Sequence, residues 1–163
     1  MIVVSDSSVL SALAAIGELD LLPKLFGKIT VTATICREAG HRNAPQGLRE
    51  LFSSIPSWLE VVPDRSPYLE ETSTLDPGEA SAITLVWQNR PASLLILDEK
   101  RGCKVASALG LKITSTAGLM MEAAATGLID FDDALARLTQ VGFRLGSHVS
   151  ATLRQSLAKR TGQ

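Results

Sequence analysis

The chain has 163 residues, of which 45% are hydrophobic, 16 are basic and 17 are acidic. A chain of this length and composition can bury one sizeable hydrophobic core, so we expect a single domain spanning residues 1–163. The nearly balanced charge excludes a protein that attracts nucleic acid over its whole surface, so any such contact must use a local basic patch.

Strand-like and helix-like segments alternate along the chain. Short runs of β-branched and aliphatic residues predict strands at residues 2–5, 28–31, 59–62, 94–97 and 112–115. Segments with Ala, Leu or Glu at helical spacing predict helices at residues 9–16, 33–40, 48–52, 78–88, 102–109 and 119–125. Residues 63–77 are polar and bounded by prolines, which predicts a loop or lid near the sheet edge. Such alternation indicates a parallel sheet covered on both faces, a three-layer α/β/α sandwich.

Two more helices are predicted after the last strand. They lie at residues 130–138 and 147–159 and are separated by a turn-like stretch at 141–146. We expect them to extend the domain, giving a core at residues 1–128 and a helical extension at 129–163.

The cysteines and the apolar runs exclude other classes of protein. Cys36 and Cys103 form no Cys-x-x-Cys pair and have no histidine cluster nearby, so they do not indicate a zinc site. A reducing compartment fits them best, although they do not exclude a disulfide bond. The run at 93–97 is too short to span a membrane, and residues 1–4 lack the features of a signal peptide. We therefore expect a soluble cytoplasmic protein with no membrane contact.

Acidic residues follow two of the predicted strands. Asp6 comes directly after the first strand, and Asp98 comes directly after the fourth. In open parallel sheets, ligands bind outside the carboxyl ends of the strands, where the strand order reverses. If the strand order is 3-2-1-4-5, the first and fourth strands are neighbours, and both carboxylates face one crevice.

Two further acids are expected at the same edge. Glu38 lies near the end of the helix after strand two, and Glu79 opens the helix before strand four. Because that helix runs antiparallel to the strands, its N-terminus lies at their carboxyl ends. Four converging carboxylates would suit Mg²⁺ or Mn²⁺, and without a cation their repulsion would raise some of their pKa values.

Each acid also has a purely structural interpretation. Asp6 and Asp98 each precede a helix and could serve as its N-cap. Asp76 and Glu79 have the spacing of a capping box. Glu38 could be an exposed acid at a helix end. These interpretations do not predict that all four acids should share one edge of the sheet.

Several motifs resemble those of PIN domains. The sequence DSS at 6–8 resembles the Asp-Thr/Ser-Ser opening of that family, and REA at 37–39 resembles its helix-borne glutamate. The sequence LDPGEASAI at 75–83 is similar to the Leu-Asp-x-Gly-Glu-Ala-x-Ala-Ile signature of a prokaryotic PIN-like branch related to VapC toxins. LDEKRG at 97–102 resembles the next acidic motif of that branch, and LGLKITST at 109–116 resembles its last strand.

The resemblance covers about residues 1–128 and includes two departures from the family pattern. Many VapC-type proteins have Asp at the position of Glu79. The motif Thr-Arg-Asp-x-Asp-Phe is replaced by ILDEKR at 96–101, so Lys100 stands where the family has its second Asp. One candidate metal ligand is therefore missing.

The resemblance implies a PIN-like α/β/α fold with strand order 3-2-1-4-5 and a Mg²⁺- or Mn²⁺-dependent endoribonuclease. The metal-binding and catalytic residues that it implies are Asp6, Glu38, Glu79 and Asp98. For relatives of VapC it further implies an RNA substrate, a small antitoxin partner and a homodimer. The alternative is a non-catalytic PIN-like module that binds nucleic acid or protein and whose acids no longer hold metal.

Two hydroxyl residues and two basic groups are candidates for supporting roles. Ser8 and Thr116 could orient a metal ligand or a metal-bound water, while the alternative for each is a helix cap, which we prefer for Thr116. The candidates for holding substrate phosphates after the fourth strand are Lys100, Arg101 and Lys104. A second candidate rim consists of Arg37, His41 and Arg42. A solvated basic helix face is the alternative for the first group.

Two other α/β classes that place acids at strand ends fit poorly. A phosphorelay receiver needs paired acids after strand one and a Lys after strand five, whereas Asp6 stands alone and the fifth strand ends in TST at 114–116. A haloacid-dehalogenase-type phosphatase needs Asp-x-Asp after strand one, whereas this chain has DSS at 6–8.

Overall fold

The sheet contains parallel strands that run in the predicted spatial order. The computed structural model describes residues 1–143 and 147–162. Its strands are β1 (Ile2–Ser5), β2 (Ile29–Thr32), β3 (Leu59–Val62), β4 (Ser93–Ile96) and β5 (Ile113–Thr114). They pair in the order β3-β2-β1-β4-β5, and every pair is parallel. The predicted order 3-2-1-4-5 is therefore confirmed.

Helices flank this sheet and complete the predicted α/β/α sandwich. They are α1 (Ser7–Ala15), α2 (Leu21–Phe26), α3 (Ala33–Ala39), α4 (Gln46–Ser53), α5 (Pro77–Gln88), α6 (Lys100–Ala108), α7 (Thr116–Ala125), α8 (Phe131–Gln140) and α9 (Ser147–Thr161). A short 3₁₀ helix at Glu70–Thr72 interrupts the predicted loop at 63–77. The helical pattern does not predict α2, which is only six residues long and contains Pro23 in its first turn.

The central strands consist mainly of β-branched and aliphatic residues that are buried on both sides. All four residues of β2 are buried, and in β1 only Ile2 is partly exposed. Helix α5 packs against β1, β2 and β4, and its residues from Gly78 to Val86 are all buried. Continuous burial is expected of parallel strands that have helices on both faces. The core therefore fixes where the carboxyl ends of β1 and β4 lie.

Two helices after β4 begin earlier than the sequence pattern predicts. Glu99 is the N-cap of α6, because its side chain accepts a hydrogen bond from the N–H of Gly102. Ser115 is the N-cap of α7 and accepts from the N–H of Gly118. The N-cap interpretations of Asp98 and of Thr116 are therefore wrong, since the neighbouring residue occupies each cap position.

The helices that follow β5 share the core of the sheet. Phe131, Ala134 and Leu138 on α8 are buried in the same hydrophobic cluster as β1 and β4.

The predicted turn-like stretch at 141–146 falls partly outside the described residues, at 144–146. Cys36 and Cys103 are both free thiols. Across residues 1–143 and 147–162, none of the helices combines the length and the apolar character needed to span a membrane.

Candidate active site

Asp6 and Asp98 lie at the same edge of the sheet, as the strand order requires. Strands β1 and β4 pair in register, with Ser5 opposite Ile96. The backbone N–H of Asp6 continues this pairing by donating to the carbonyl of Ile96, with an N···O distance of 3.2 Å. Both acids therefore follow the carboxyl ends of adjacent strands, and the charge of Asp98 contributes to raising the pKa of Asp6.

Asp6 is a buried carboxylate with a dense set of local hydrogen bonds. Its side chain is 4% exposed, and Oδ1 accepts from the N–H of Val9, so Asp6 is the N-cap of α1. The hydroxyl of Ser8 lies 3.0 Å from Oδ1 and 2.9 Å from Oδ2 and donates to this carboxylate. Burial raises the pKa of Asp6 to about 6, although the hydrogen bonds from Val9 and Ser8 oppose the shift. Ser8 thus orients the carboxylate, and the cap role of Asp6 coexists with its place at the sheet edge.

Glu79 is the second buried acid at this edge. It lies in the first turn of α5 and is 8% exposed. The N-cap of this helix is Asp76, whose Oδ1 accepts from the backbone N–H of Glu79 at 2.9 Å. Burial raises the pKa of Glu79 to about 8, and the negative charges of Asp76, Glu99 and Asp6 add to the effect. The capping role of Asp76 is therefore present, yet the side chain of Glu79 lies among like charges.

Glu38 reaches the N-terminal turn of α5 from α3. A Cβ atom on Gly78 would lie only 2.6 Å from Oε2 of Glu38, so the absence of a side chain at Gly78 leaves room for this carboxylate. Burial and the charge of Asp76 raise the pKa of Glu38, while a hydrogen bond from the backbone N–H of Gly78 opposes the rise. The residue itself is largely exposed. Glu38 thus lies beside the other acids but on the outer side of the group.

Asp98 is held by the residue that begins α7. Its Oδ1 accepts from the backbone N–H of Thr116 at 2.8 Å, and its Oδ2 accepts from the hydroxyl of Thr116 at 2.5 Å. Thr116 is fully buried. Both carboxylate oxygens of Asp98 therefore already have a donor, and Thr116 supplies both of them.

A small cavity of about 120 Å³ marks where the acids meet. Its lining residues are Asp6, Ser7, Ser8, Ile35, Asp76, Gly78, Glu79 and Glu99. The structure thus brings Asp6 and Glu79 to one cavity. Glu38 borders it through Gly78, whereas Asp98 is not one of its lining residues.

Asp76 and Glu99 are acids at this cavity that the sequence analysis did not propose as site residues. Each has a helix-capping role, which gives a sufficient local reason for an acid at that position. A Cβ atom on Gly102 would lie 3.3 Å from Oε2 of Glu79 and 3.6 Å from Oε2 of Glu99, so the two carboxylates share the space above Gly102. The sequence carries one signal for these two acids. Each comes directly before the first turn of a helix that starts at the same edge of the sheet.

The basic side chains of α6 do not form ion pairs with this acidic group. Among the ion pairs within residues 1–143 and 147–162, none includes an acid of this cavity, Glu38 or Asp98. On α6, Arg101 donates to the carbonyl of Thr74 at 3.2 Å, and its charge helps to lower the pKa of Glu99. Lys100 and Lys104 are exposed on the same helix. Within the part of the chain that the structure describes, the acids of the cavity are therefore left without a basic partner at ion-pair distance.

The donor chemistry of the cavity fits a divalent cation of the Mg²⁺ or Mn²⁺ type. Carboxylate oxygens are the ligands such ions prefer. Burial is the main cause of the raised pKa values of Asp6 and Glu79, with repulsion between the acids adding to it, and a cation would offset both effects. Within the described part of the chain, no three or more Asp, Glu, His or Cys side chains are already arranged closely enough to hold a metal ion. Cation binding would therefore require the carboxylates to move toward one another.

Comparison with known families extends the motif resemblance to nearly the whole chain. Residues 2–159 match the family model described as DUF3368: PIN domain. No curated protein and no solved structure matches the chain significantly. The matched span contains every strand of the sheet and all of the acids described above. PIN domains are typically nucleases, which supports nuclease chemistry at the level of reaction class. The chain belongs to the PIN domain family.

Proposed function

We propose that this protein is an endoribonuclease that depends on Mg²⁺ or Mn²⁺ bound by Asp6, Glu38, Glu79 and Asp98. The observation that carries the proposal is the pair of buried carboxylates, Asp6 and Glu79, whose pKa values are raised to about 6 and about 8 in one small cavity. Buried like charges are unfavourable unless a cation or a function retains them. Membership of a family whose members are typically nucleases supplies the reaction class.

Each side chain has a distinct task in this proposal. Asp6, Glu38, Glu79 and Asp98 would hold the divalent cation, whose chemistry when bound would be to activate a water and to stabilise the leaving oxygen of the phosphodiester. The hydroxyl of Ser8 holds the carboxylate of Asp6 in one orientation, and Thr116 does the same for Asp98 through two hydrogen bonds. Such neighbours restrict how each carboxylate can turn, which reduces the rotational freedom that is lost when the group closes on a cation.

RNA is the proposed substrate, and its phosphates need positive charge beside the acidic cavity. Helix α6, which starts directly after Asp98 and Glu99, carries a group of basic side chains that supports RNA as the substrate. They are Lys100, Arg101 and Lys104. All three are exposed. Because the net charge of the chain is −1, binding depends on this local patch and should weaken with added salt.

The motif at residues 75–83 supports a narrower assignment. Its similarity to the VapC-related branch favours the toxin of a toxin–antitoxin pair, acting in the cytoplasm of a prokaryote as a homodimer that a small antitoxin protein inhibits. Size-exclusion chromatography with light scattering tests the dimer. Co-expression with the product of an adjacent small gene tests the antitoxin, and loss of cleavage in the co-purified complex is the expected result.

A non-catalytic PIN-like binding module is the second candidate. Two observations favour it: the acids are not already arranged as a metal site within the described residues, and both oxygens of Asp98 are engaged by Thr116. In this case the protein would bind RNA or a protein partner without cleaving it. Asp6 and Asp76 would then serve as caps of α1 and α5.

A cleavage assay with a chelator control separates the two candidates. Purified protein is incubated with a fluorophore–quencher RNA in Mn²⁺, in Mg²⁺ or in EDTA. The proposal predicts cleavage that EDTA abolishes and that Asp6→Asn or Glu79→Gln reduces by at least about 100-fold, equivalent to about 3 kcal/mol of transition-state stabilisation. The matched control is Glu71→Gln, an exposed acid outside the site. EDTA-resistant cleavage, or full activity in both site variants, contradicts the proposal.

A further inference from the structure

A network of hydrogen bonds connects the loop after β3 to the first turn of α3. Asp64, two residues after the end of β3, accepts at Oδ1 from the backbone N–H of Thr34 at 3.0 Å. Its Oδ2 accepts from the hydroxyls of Thr34 and Tyr68. The oxygen of Thr34 accepts in turn from Nη2 of Arg37, at 2.9 Å. The network therefore ends on a guanidinium group one turn further along α3.

The directions of these hydrogen bonds are mutually consistent. Asp64 is an acceptor for three donors, and its pKa is held below the ordinary value because the hydrogen bonds from Thr34 and Tyr68 outweigh the effect of burial. Since the hydroxyl proton of Thr34 is directed at Asp64, the lone pairs of that oxygen are available to Arg37. Thr34 is buried, so water competes weakly for this contact. Arg37 is thus held at one N–H by a fixed acceptor.

Most of the guanidinium of Arg37 is left available. A guanidinium has five N–H donors, and the hydrogen bond to Thr34 uses one of them. The residue is exposed, and none of the ion pairs formed within residues 1–143 and 147–162 includes it. Its charge opposes the rise in the pKa of Glu38 and adds to the lowering of the pKa of Asp64, although neither carboxylate is within ion-pair distance. A fixed planar donor with free N–H groups is well suited to phosphate.

The position of Arg37 places these donors next to the acidic cavity. Arg37 and Glu38 line a surface cavity of about 430 Å³ together with His41, Asn43 and Ala44. Glu38 in turn borders the acidic cavity at Gly78. A strand that enters the acidic cavity would therefore have its adjacent backbone beside Arg37.

We propose that Arg37 binds a backbone phosphate of the RNA strand beside the acidic cavity, and that Asp64 and Tyr68 are positioning residues that act through Thr34. This inference rests on the proposed function, because it takes RNA as the ligand. The carboxylates of the acidic cavity repel phosphate, so binding needs a positive charge beside them. A guanidinium held at a fixed place loses less conformational freedom on binding than a mobile surface lysine, so it contributes more to phosphate binding.

Equilibrium binding in EDTA tests the inference separately from cleavage. A fluorescein-labelled single-stranded RNA is titrated with the wild-type protein, Arg37→Ala and the control Arg49→Ala, which removes an exposed arginine of α4. Arg37→Ala should raise the Kd by about 5- to 10-fold and reduce the slope of log Kd against log salt by about 0.7, the value for one phosphate on a single strand. Arg49→Ala should change neither quantity.

A double-mutant cycle tests the positioning role. Tyr68→Phe removes only the hydroxyl that donates to Asp64, so it should raise the Kd by about 2- to 3-fold in the wild-type background and leave it unchanged in the Arg37→Ala background. Thermal unfolding of each variant checks that it is folded. A purely structural role would reduce stability without altering the salt slope.

Each failure has a separate meaning. If the wild-type protein binds RNA and Arg37→Ala binds like Arg49→Ala, the inference is wrong while the nuclease proposal stands. An equal effect of Tyr68→Phe in both backgrounds removes the positioning role. Binding that depends on Arg37 without any metal-dependent cleavage overturns the proposed nuclease and keeps the phosphate site. No RNA binding by the wild-type protein overturns the phosphate site.

Discussion

Thr116 donates both its backbone N–H and its hydroxyl to the carboxylate of Asp98, at 2.8 Å and 2.5 Å. Thr116 is the first residue of α7, whereas Asp98 follows β4. The pair therefore ties the start of α7 to the edge of the sheet where the acids lie. Two donors on one carboxylate also fix its rotation, which neither donor alone would do.

Replacing Thr116 by Val should lower both cleavage and stability. The change removes the hydroxyl that donates to Asp98 and keeps the backbone N–H. We expect cleavage to fall by about 10-fold or more, and the free energy of unfolding to fall by about 1.5–3 kcal/mol, the usual value for a hydrogen bond to a charged group. Urea unfolding and the RNA assay measure the two effects.

The control for this prediction is Thr139→Val. Its hydroxyl donates to the carbonyl of Leu135 on the exposed face of α8, so both activity and stability should change little. A Thr116→Val variant that loses stability but cleaves RNA at the wild-type rate would show that the orientation of Asp98 has no catalytic role.

Asp6→Asn should be more stable than the wild type above about pH 6 in EDTA. Burial raises the pKa of Asp6 from 3.8 to about 6, so the folded protein binds this proton more tightly than the unfolded chain does. The stability contributed by Asp6 is therefore present at low pH and is lost as the pH rises through this window. About two pH units correspond to about 3 kcal/mol, and Asn can still cap α1.

Urea unfolding of both proteins between about pH 3.5 and pH 7.5 measures the difference in the free energy of unfolding. The difference should grow in favour of Asp6→Asn across the window. With saturating Mn²⁺ it should shrink or reverse, because the cation stabilises only a protein that binds it. A difference that does not change with pH contradicts the assignment of the raised pKa to Asp6.

Gly78→Ala should displace Glu38 and reduce activity while the fold persists. The new Cβ would lie 2.6 Å from Oε2 of Glu38, which is the end of a flexible side chain and can move away. We expect a loss of cleavage of about 10-fold or more with a change of less than about 1 kcal/mol in the free energy of unfolding.

The matched control is Gly40→Ala at the end of α3. A Cβ there would make only ordinary contacts, at 3.5 and 3.8 Å, with the carbonyl oxygens of Cys36 and Arg37. Both variants are compared in the RNA assay and by urea unfolding. Equal cleavage by the two would mean that the carboxylate of Glu38 does not need its place beside α5.

Arg137→Ala should destabilise the whole protein in one transition. Arg137 on α8 donates to the carbonyl of Ile16 at 2.8 Å and pairs with Glu18 at 2.9 Å, which links α8 to the chain after α1. Loss of these partly exposed contacts should reduce the free energy of unfolding by about 1 kcal/mol. Cleavage per folded molecule should not change.

Far-UV circular dichroism and tryptophan fluorescence measure this effect through different parts of the chain. Trp58 and Trp87 lie within residues 1–128, whereas the dichroism signal also includes α8 and α9. Coincident transitions would support one cooperative domain. An early loss of dichroism before the fluorescence change would show that the segment after residue 128 unfolds separately.

The positions of the strands and of four acids could be predicted because the pattern of residue types in each segment agrees with the strand order of the sheet. Strands β1 and β3 have the predicted bounds, and each run ends before a polar or turn-forming residue, Asp6 and Pro63. Asp6 and Asp98 follow neighbouring strands, so the strand order alone places them at one edge. The burial of Glu79 follows from the position of its helix over the sheet.

The remaining features depend on contacts between residues that are distant in the sequence. Nothing local to Asp64 predicts that it accepts from Thr34, 30 residues earlier. The cap of α6 is Glu99 rather than Asp98, and a shift of one residue decides which carboxylate faces Thr116. Patterns of residue type resolve helix ends to a few residues only, so this choice could not be read from the sequence.

The pairing of β1 with β4 has a consequence during protein synthesis. Asp6 and Asp98 are 92 residues apart in the sequence, and they come together only when β4 has been made and has joined the central strand. A nascent chain that has released β1, β2 and β3 from the ribosome therefore holds two of the four acids and no complete centre. On the proposed function, the transcript being translated therefore meets no complete site until β4 has emerged.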